Sequence, residues 1–271
     1  MVMSVNTNVG AMVALQNLAL TNKDLINTQL KVTTGLRVNG PKDDAATFAI
    51  AQNMRGDIAG YGSVAVSLAM GEATVNVAID AATSIADLLT QMKGKAVQAS
   101  QEGMDQNSYN ALHLEFTALR EQLTTIVNTA AFNGKNLITS GATAFKVLST
   151  VEGSTIVVSS AQMDTTTLVI HTATLATAAN AQTALALINA AIITNSNALA
   201  VMGASSKRVD IQNDFVQKLT DVLKLGVGNL VDADLATESA NLQALQIKQQ
   251  LGVQALSIAN QNPQSILALF K

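Results

Sequence analysis

Side chains that could carry out chemistry are few in this sequence. His113 and His171 are the only two histidines, and no Cys is present. Neither histidine has a Ser, an Asp or a second metal ligand at a spacing typical of a catalytic or metal-binding motif, so we interpret both as structural or surface residues. The absence of Cys excludes disulfides, a thiolate nucleophile and Cys-ligated zinc.

Two short polar motifs also have non-catalytic interpretations. Asn133-Gly134-Lys135 is similar to a phosphate-binding loop only in part, because the earlier Gly and the following Ser or Thr of that motif are missing. Asp43 and Asp44 could ligate a hard cation, but adjacent carboxylates are more typical of a helix cap and a surface charge. We therefore predict no enzymatic activity, no cofactor and no metal site.

The composition narrows the possible fold and partners. The 271 residues are 48% hydrophobic, 13% charged and 3% aromatic, with a formal net charge of −3. This hydrophobicity excludes a disordered chain, and the small aliphatic side chains favour long, closely packed helices. The acidic balance argues against nucleic-acid binding. Since no stretch of ~18 uninterrupted apolar residues occurs and the N-terminal segment has no basic flank, we expect neither membrane insertion nor a Sec-type signal peptide.

Apolar periodicity predicts the elements that must position these side chains. It indicates helices over residues 9–32, 45–100, 109–127 and 176–225, and a last helix from about residue 232. Phe132-Asn133-Gly134 is expected to end the third helix, and Gly226 and Gly228 to loosen the end of the fourth. Residues 144–172 mix Val, Ile and Leu with Ser and Thr, which predicts short strands, one of them around 168–170.

The last helix has two apolar stripes. Leu242, Leu245, Val253 and Leu256 share one face, and Ala240, Ala244, Ile247, Leu251, Ala255 and Ile258 share the opposite one. In the first helix, one broad face carries Met12, Leu15, Leu18, Leu25, Ile26 and Leu30. Two opposed stripes need helical partners on both sides, so one partner helix cannot cover such a segment.

Both ends of the chain are nearly uncharged. Before Lys31 only Lys23 and Asp24 are charged, and after Glu238 only Lys248 and Lys271 are. We expect these ends to be poorly ordered alone and to fold against copies of the same chain, as in a polymer. The residues predicted to carry self-assembly are Leu15, Leu18, Leu25, Leu30, Leu242, Leu245, Ile247, Leu251, Leu256 and Ile258.

Motifs at both ends resemble bacterial flagellin. The leading motifs are Val5-Asn6-Thr7-Asn8, Leu15-Gln16-Asn17-Leu18, Thr34-Gly35-Leu36-Arg37-Val38-Asn39 and Lys42-Asp43-Asp44-Ala45-Ala46. Phe132-Asn133-Gly134-Lys135-Asn136-Leu137 is similar to a family motif that lies between the leading and closing ones. The closing motifs are Asp232-Ala233-Asp234-Leu235-Ala236-Thr237-Glu238, Gln246-Ile247-Lys248-Gln249-Gln250-Leu251-Gly252 and Ala259-Asn260-Gln261-Asn262-Pro263-Gln264. The resemblance covers residues 4–140 and 180–271 and is strongest to alphaproteobacterial flagellins.

The resemblance implies a mainly α fold in which the terminal segments pair as a long antiparallel helical hairpin or coiled coil, with a small β insert. It implies an inner coiled-coil domain from 1–40 and 233–271, a helical filament-core domain from 41–143 and 174–232, and a variable surface insert at 144–173. The implied function is the structural subunit of the extracellular flagellar filament, a tubular propeller for swimming. Type III export is implied, with identical subunits, a secretion chaperone, the filament cap and hook-filament junction proteins as partners.

One site implied by the resemblance is degenerate. Flagellins recognised by their Toll-like receptor present an Arg and a Leu in the stretch that aligns with 89–97, and a Glu on the next helix. Glu115 matches the last of these, but Gln91 replaces the Arg and Lys95 replaces the Leu. Loss of the guanidinium weakens binding, and a charge placed at an apolar contact weakens it further. We therefore expect poor receptor activation.

Three alternatives remain open. A hook-filament junction protein shares the terminal helices but occurs in few copies, so electron microscopy separates it from a filament subunit. An adhesive surface module would depend on the Ser/Thr-rich insert, whereas filament formation is expected to survive deletion of 144–172. A filament with a metalloprotease insert needs the HExxH motif, which does not occur in this sequence.

Overall fold

The computed structural model describes residues 7–267, with side chains to Gln261. Within this range the chain is mainly helical, as predicted. The helices are α1 (Val9–Thr34), α2 (Ala45–Ala99), α3 (Gln106–Thr129), α4 (Ala178–Val231) and α5 (Leu235–Leu267). Two antiparallel hairpins complete the described fold, β1 (Ala131–Phe132) with β2 (Lys135–Asn136), and β3 (Phe145–Leu148) with β4 (Thr155–Val158).

The chain forms two compact units. The first, the terminal unit, contains the described residues up to Gly56 and from Val222 onward, and the second, the central unit, contains Asp57–Asp221. The loops between α1 and α2 and between α4 and α5 both lie in the terminal unit. These loops contain the predicted boundaries at 40/41 and 232/233. The predicted division of the chain into five segments follows their expected layer in a filament, which the two compact units do not test, so it stays a prediction.

Polar side chains and one glycine define the helix ends of the terminal unit. Asn8 Oδ1 accepts the Ala11 N–H at 3.0 Å at the start of α1, and Gly35 ends that helix with φ 72°. A left-handed φ of this kind favours glycine. Of the two residues predicted to cap α2, Asp43 or Asp44, it is Asp44 whose Oδ1 accepts the N–H groups of Ala46 and Thr47.

The core of the central unit follows heptad spacing on α2 and α4. Buried positions recur at alternating steps of three and four residues, at 64, 68, 71, 75, 78, 82, 85, 89, 92, 96 and 99 of α2 and at 181, 184, 188, 191, 195, 198, 202, 205 and 209 of α4. The apolar ones belong to one cluster. Asn195 Nδ2 donates to the Ala82 carbonyl at 3.0 Å, and the Ser206 hydroxyl lies 3.5 Å from Asn76 Oδ1. The two helices therefore pack antiparallel, with the geometry of a coiled coil.

Part of the β insert is buried in the central unit. Val147, Val158, Met163 and Ile170 are all fully buried and belong to the same apolar cluster as the helices. A Cβ built on Gly71 of α2 would lie 2.5 Å from a Val147 methyl carbon. The predicted surface insert at 144–173 therefore contributes these four side chains to the core of the central unit, while Val151, Val157 and Val169 of the same segment are exposed. Its place in a filament stays a prediction.

Two local predictions are wrong. Residues 168–170 form turns rather than a strand, because the Asp164 carboxylate accepts the N–H groups of Thr166 and Thr167 and fixes a helical turn there. Helix α4 continues past Gly226 and Gly228 to Val231. Gly226 faces the flexible end of Met54, since a Cβ at position 226 would lie 2.9 Å from Met54 Cε.

Asn133 and Gly134 form a tight hairpin turn between β1 and β2. Both residues have positive φ, 46° and 76°. Two-residue hairpin loops of this type require positive φ at both positions, which Asn-Gly adopts more easily than other pairs. The segment therefore reverses the chain after α3, and a phosphate-binding role is not needed to explain it.

Candidate self-assembly surface

The terminal unit is built on an antiparallel pairing of α1 with α5. The covered or half-covered positions repeat at heptad spacing on both helices. They are Ala11, Ala14, Leu18, Thr21, Leu25, Thr28 and Val32 on α1, and Glu238, Leu242, Leu245, Gln249, Gly252, Leu256 and Ala259 on α5. We call these two rows the seam. A strict heptad row is the pattern of a coiled coil, which confirms the predicted hairpin of terminal segments.

Polar contacts fix the register of the seam. At its base Lys31 Nζ lies 3.2 Å from Glu238 Oε1, and near its middle Gln249 Nε2 donates to Asn22 Oδ1 at 2.7 Å. At the far end Asn8 Nδ2 donates to the carbonyl of Ala259 at 2.7 Å. The residue numbers on α5 fall as those on α1 rise, so these contacts describe one continuous antiparallel register.

The predicted self-assembly residues divide into two groups. Leu18, Leu25, Leu242, Leu245 and Leu256 occupy seam positions and are half-buried within the chain. A second set lies on the outside of the pair and is exposed, at Leu15, Leu30, Ile247, Leu251 and Ile258. The structure therefore brings the first five together and leaves the other five on the surface.

One apolar face predicted for α1 is split by the structure. Leu18 and Leu25 face α5, whereas Met12, Leu15 and Ile26 are 63%, 58% and 64% exposed. On α5, Val253 is 54% exposed and does not share the covered face of Leu242. The heptad row covers a narrower arc than the broad stripe that helical periodicity suggested.

We call the exposed apolar side chains of α1 and α5 the outer stripe. Besides the five leucines and isoleucines above, it includes Val9, Met12, Val13, Leu20, Ile26, Leu235 and Val253. Soluble monomers rarely expose contiguous apolar patches of more than a few hundred Å², and larger ones mark interaction sites. The outer stripe is therefore the strongest candidate for a functional surface in the terminal unit.

The three receptor-related residues lie on α2 and α3 in the central unit. Gln91 is exposed, while Lys95 is half-buried. The Lys95 ammonium forms an ion pair with the carboxylate of Glu115. The resemblance to flagellins identified Lys95 and Glu115 as receptor-related positions, but it did not show that their side chains contact each other.

The candidate chemical residues have structural contacts. His113 Nδ1 accepts the N–H of Leu175 at 3.3 Å, and the His171 carbonyl accepts a hydrogen bond from Arg120. Asp43 Oδ2 accepts the N–H groups of Asn39 and Gly40 and closes the loop before α2. Among the described residues no group of three or more His, Cys, Asp or Glu side chains could hold a metal ion.

Hydrogen bonds to two helix-capping carboxylates lower their pKa values. The hydroxyl of Thr47 lowers the pKa of Asp44, and that of Thr237 lowers the pKa of Asp234. Backbone N–H groups at the starts of α2 and α5 act in the same direction. Sequence reasoning found the first of these caps and missed the second, although both follow the pattern Asp-x-x-Thr.

Helices α2 and α4 are long and apolar enough, by length and composition, to cross a membrane. Their most apolar windows are 33% and 28% buried inside the described structure, and both helices contribute to the core of the central unit. Core helices of soluble proteins have the same property. The expectation that the chain does not insert into membranes stays a prediction.

The chain matches two regions of one protein family. Residues 5–143 match the bacterial flagellin N-terminal helical region, and residues 185–270 match the C-terminal helical region. The chain is 45% identical over 269 residues to flagellin FljK of Caulobacter vibrioides, covering 99% of this chain and 98% of FljK. It is 36% identical over 284 residues to a flagellin of Brucella melitensis, covering 99% of each.

Solved structures show the same fold at low identity. Bacillus cereus flagellin aligns with a TM-score of 0.50 and 22% identity, over 54% of this chain and 86% of that one. A putative flagellar hook-associated protein from Vibrio parahaemolyticus aligns with a TM-score of 0.58 and 12% identity, over 70% of this chain and 100% of that one. At these identities the likeness concerns the fold alone.

Proposed function

The chain belongs to the bacterial flagellin family, and from this premise we propose how its residues build the flagellar filament. Its function is that of a structural subunit of the filament, and it is not an enzyme. We infer that the seam pairs α1 with α5 inside one subunit, while the outer stripe contacts neighbouring copies. The observation that carries this proposal is the exposure of Leu15, Ile247, Leu251 and Ile258 outside the seam, whose leucines are half-buried between α1 and α5.

A filament repeats the contacts of the outer stripe at every subunit. Complete burial of one Leu or Ile side chain contributes roughly 1.5–3 kcal/mol, so a few buried side chains at each interface overcome much of the cost of association. A carboxylate at the same place gives up this contribution and must also be desolvated without a partner. Because every subunit repeats the interface, one such substitution affects every contact along the filament.

Leu251 provides the test. Leu251→Asp is expected to abolish filaments in electron micrographs, while the central unit keeps its protease resistance, since Leu251 is 57% exposed in the single chain. Leu251→Met, which conserves the volume and apolar character of the side chain, is the matched control and is expected to assemble. Normal filaments from Leu251→Asp would contradict the proposed role of the outer stripe.

Further partners follow from the family and are proposals for this chain. We propose that it is exported by the flagellar type III route to the extracellular filament. A secretion chaperone would cover the outer stripe of α5 before assembly, and the filament cap and hook-filament junction proteins would contact the growing polymer. Co-purification of the cognate chaperone with the full chain, and its loss in Leu251→Asp, would support the chaperone surface.

We also propose that the chain is a poor Toll-like receptor ligand. Gln91 lacks the guanidinium of an Arg, and Lys95 places a charge where an apolar contact is implied. The ion pair between Lys95 and Glu115 supports this proposal further, because it engages the one carboxylate that matches the recognised pattern. A reporter-cell response equal to that of a recognised flagellin would contradict it.

A further inference from the structure

We propose that Asn195 sets the register in which α2 and α4 pair in the central unit. Asn195 is 1% exposed and occupies a position in the buried heptad row of α4, among apolar neighbours. Its side-chain nitrogen donates to the Ala82 carbonyl of α2 at 3.0 Å. This is a cross-helix hydrogen bond from a buried amide at a heptad position, the arrangement by which a single Asn specifies register in coiled coils.

The apolar residues around Asn195 do little to specify a register. In the buried heptad rows, alanine occupies positions 78, 82, 96 and 99 of α2 and positions 181, 184, 191 and 198 of α4. A displacement of one helix by one heptad places Ala78 opposite Ala191, or in the other direction Ala99 opposite Ala184, and Ile85 faces an alanine of α4 in every case. Because such a displacement exchanges side chains of similar total volume, the packing free energies of the native and displaced registers differ little.

Asn195 distinguishes these registers because its acceptor is available in one of them. A displacement by seven residues would bring Asn195 to the level of Val75 or Leu89, both fully buried. Their larger side chains would occupy the space that the amide has beside the methyl group of Ala82, so we expect no cross-helix hydrogen bond at either level. In a displaced register the buried amide loses its acceptor, and an unpaired buried polar group is strongly disfavoured.

A role in stability alone does not account for this residue. The Oδ1 atom of Asn195 is buried and has no hydrogen-bond partner among the described residues. An orphaned acceptor of this kind destabilises the fold compared with an apolar side chain of similar volume. Asn195→Leu should therefore raise the Tm of the central unit, by about 2–4 °C for a domain of this size, while it lowers register specificity.

Engineered cysteines can report the register, because the chain contains no Cys. At helical spacing from the Asn195–Ala82 contact, Ala78→Cys with Ala198→Cys reports the native register. Ala78→Cys with Ala191→Cys reports a displacement of one heptad, since a disulfide requires Cα atoms within about 7 Å. The full-length chain is refolded under reducing conditions and then oxidised, and intrachain cross-links are quantified by mass spectrometry.

The proposal predicts that the parent chain forms only the native cross-link. In the Asn195→Leu background we expect at least a tenfold increase in the displaced cross-link. Asn195→Ala serves the same purpose if the leucine variant does not fold. Ser205→Ala is the matched control, because Ser205 is also a buried polar residue of the heptad row of α4 but donates to the Val201 carbonyl of its own helix. Absence of the displaced cross-link from the Asn195 variants would overturn the proposal, whichever way the Tm moves.

Discussion

Leu18 of α1 packs against the bare backbone of Gly252 on α5. A Cβ built on Gly252 would lie 3.2 Å from Leu18 Cδ1, closer than most side-chain contacts. The missing side chain of Gly252 therefore makes the space that Leu18 fills. This pair explains why a glycine is retained within α5, where glycine is less favourable than alanine by roughly 1 kcal/mol.

Substitution of Gly252 is expected to separate α1 from α5. Gly252→Val introduces three carbons into the space of Leu18, so we expect lower helicity of the terminal segments and a loss of filaments. Circular dichroism and electron microscopy provide the measurements. Gly62→Ala is the matched control, because Gly62 lies inside α2 with no atom within 4 Å of an added Cβ. That variant should gain stability, by roughly 0.5–1 kcal/mol, and should still form filaments.

Asp234 is expected to make the start of α5 sensitive to acid. Its Oδ1 accepts the Ala236 N–H at 3.0 Å and its Oδ2 accepts the Thr237 hydroxyl at 2.7 Å, which lowers the pKa of the carboxyl below its usual value near 3.8. The stabilisation is therefore complete above this usual value and is lost as the pH falls through the lower, folded-state pKa.

Two variants separate the charge of this cap from its hydrogen bonds. Asp234→Asn keeps a good capping residue that does not titrate, so the acid-induced loss of helicity should be smaller than in the parent. Asp234→Ala should lower helicity at neutral pH as well. Asp87→Ala, at an exposed carboxylate in the middle of α2, is the control and should change neither property. Equal acid profiles for the parent and Asp234→Asn would contradict the assignment.

The close contact between Gly71 and Val147 predicts that the β3–β4 hairpin stabilises the central unit. A Leu side chain at position 71 would displace Val147, which is fully buried, and would open the core. Gly71→Leu should therefore lower the Tm. Overpacking a core site typically costs about 1–3 kcal/mol of stability, and we expect a larger loss if the hairpin detaches completely. Differential scanning calorimetry measures the change, and Gly94→Leu on the same helix, with open space around it, is the control.

This contact also changes the expectation for deletion of residues 144–172. A surface insert can be removed without loss of the core, but here the segment contributes Val147, Val158 and Ile170 to the apolar cluster. We now expect the deletion to unfold the central unit. Retention of its protease resistance after the deletion would show that the hairpin is dispensable for folding.

Periodicity predicted the helices well because long amphipathic segments carry many apolar positions that agree with one another. It did not identify the seam residues of α1, since Ala11, Ala14, Thr21 and Thr28 are small or polar and contribute little to an apolar stripe. Heptad spacing would have found them. Periodicity also misassigned residues 168–170, because β-branched composition does not reveal that the Asp164 carboxylate nucleates a turn there.

Contacts between distant residues could not be predicted from the sequence. Helical periodicity places Leu15 and Leu18 on one broad face of α1, and the structure alone separates Leu18, which faces α5, from Leu15, which is exposed. The ion pair between Lys95 and Glu115 joins two helices whose facing sides periodicity does not specify. Such contacts depend on how the helices pack, which a single sequence leaves open.

The same ion pair leads to a last prediction, for the innate receptor. Lys95→Leu should release Glu115 from its partner and restore an apolar contact, and Gln91→Arg should restore a planar guanidinium. The double variant is therefore expected to activate Toll-like receptor reporter cells at least tenfold more strongly than the parent chain, when both are applied as monomers. Lys95→Ala with Gln91 unchanged is the control, because it frees Glu115 without supplying the other two groups. A double variant as inactive as the parent would show that other positions limit recognition.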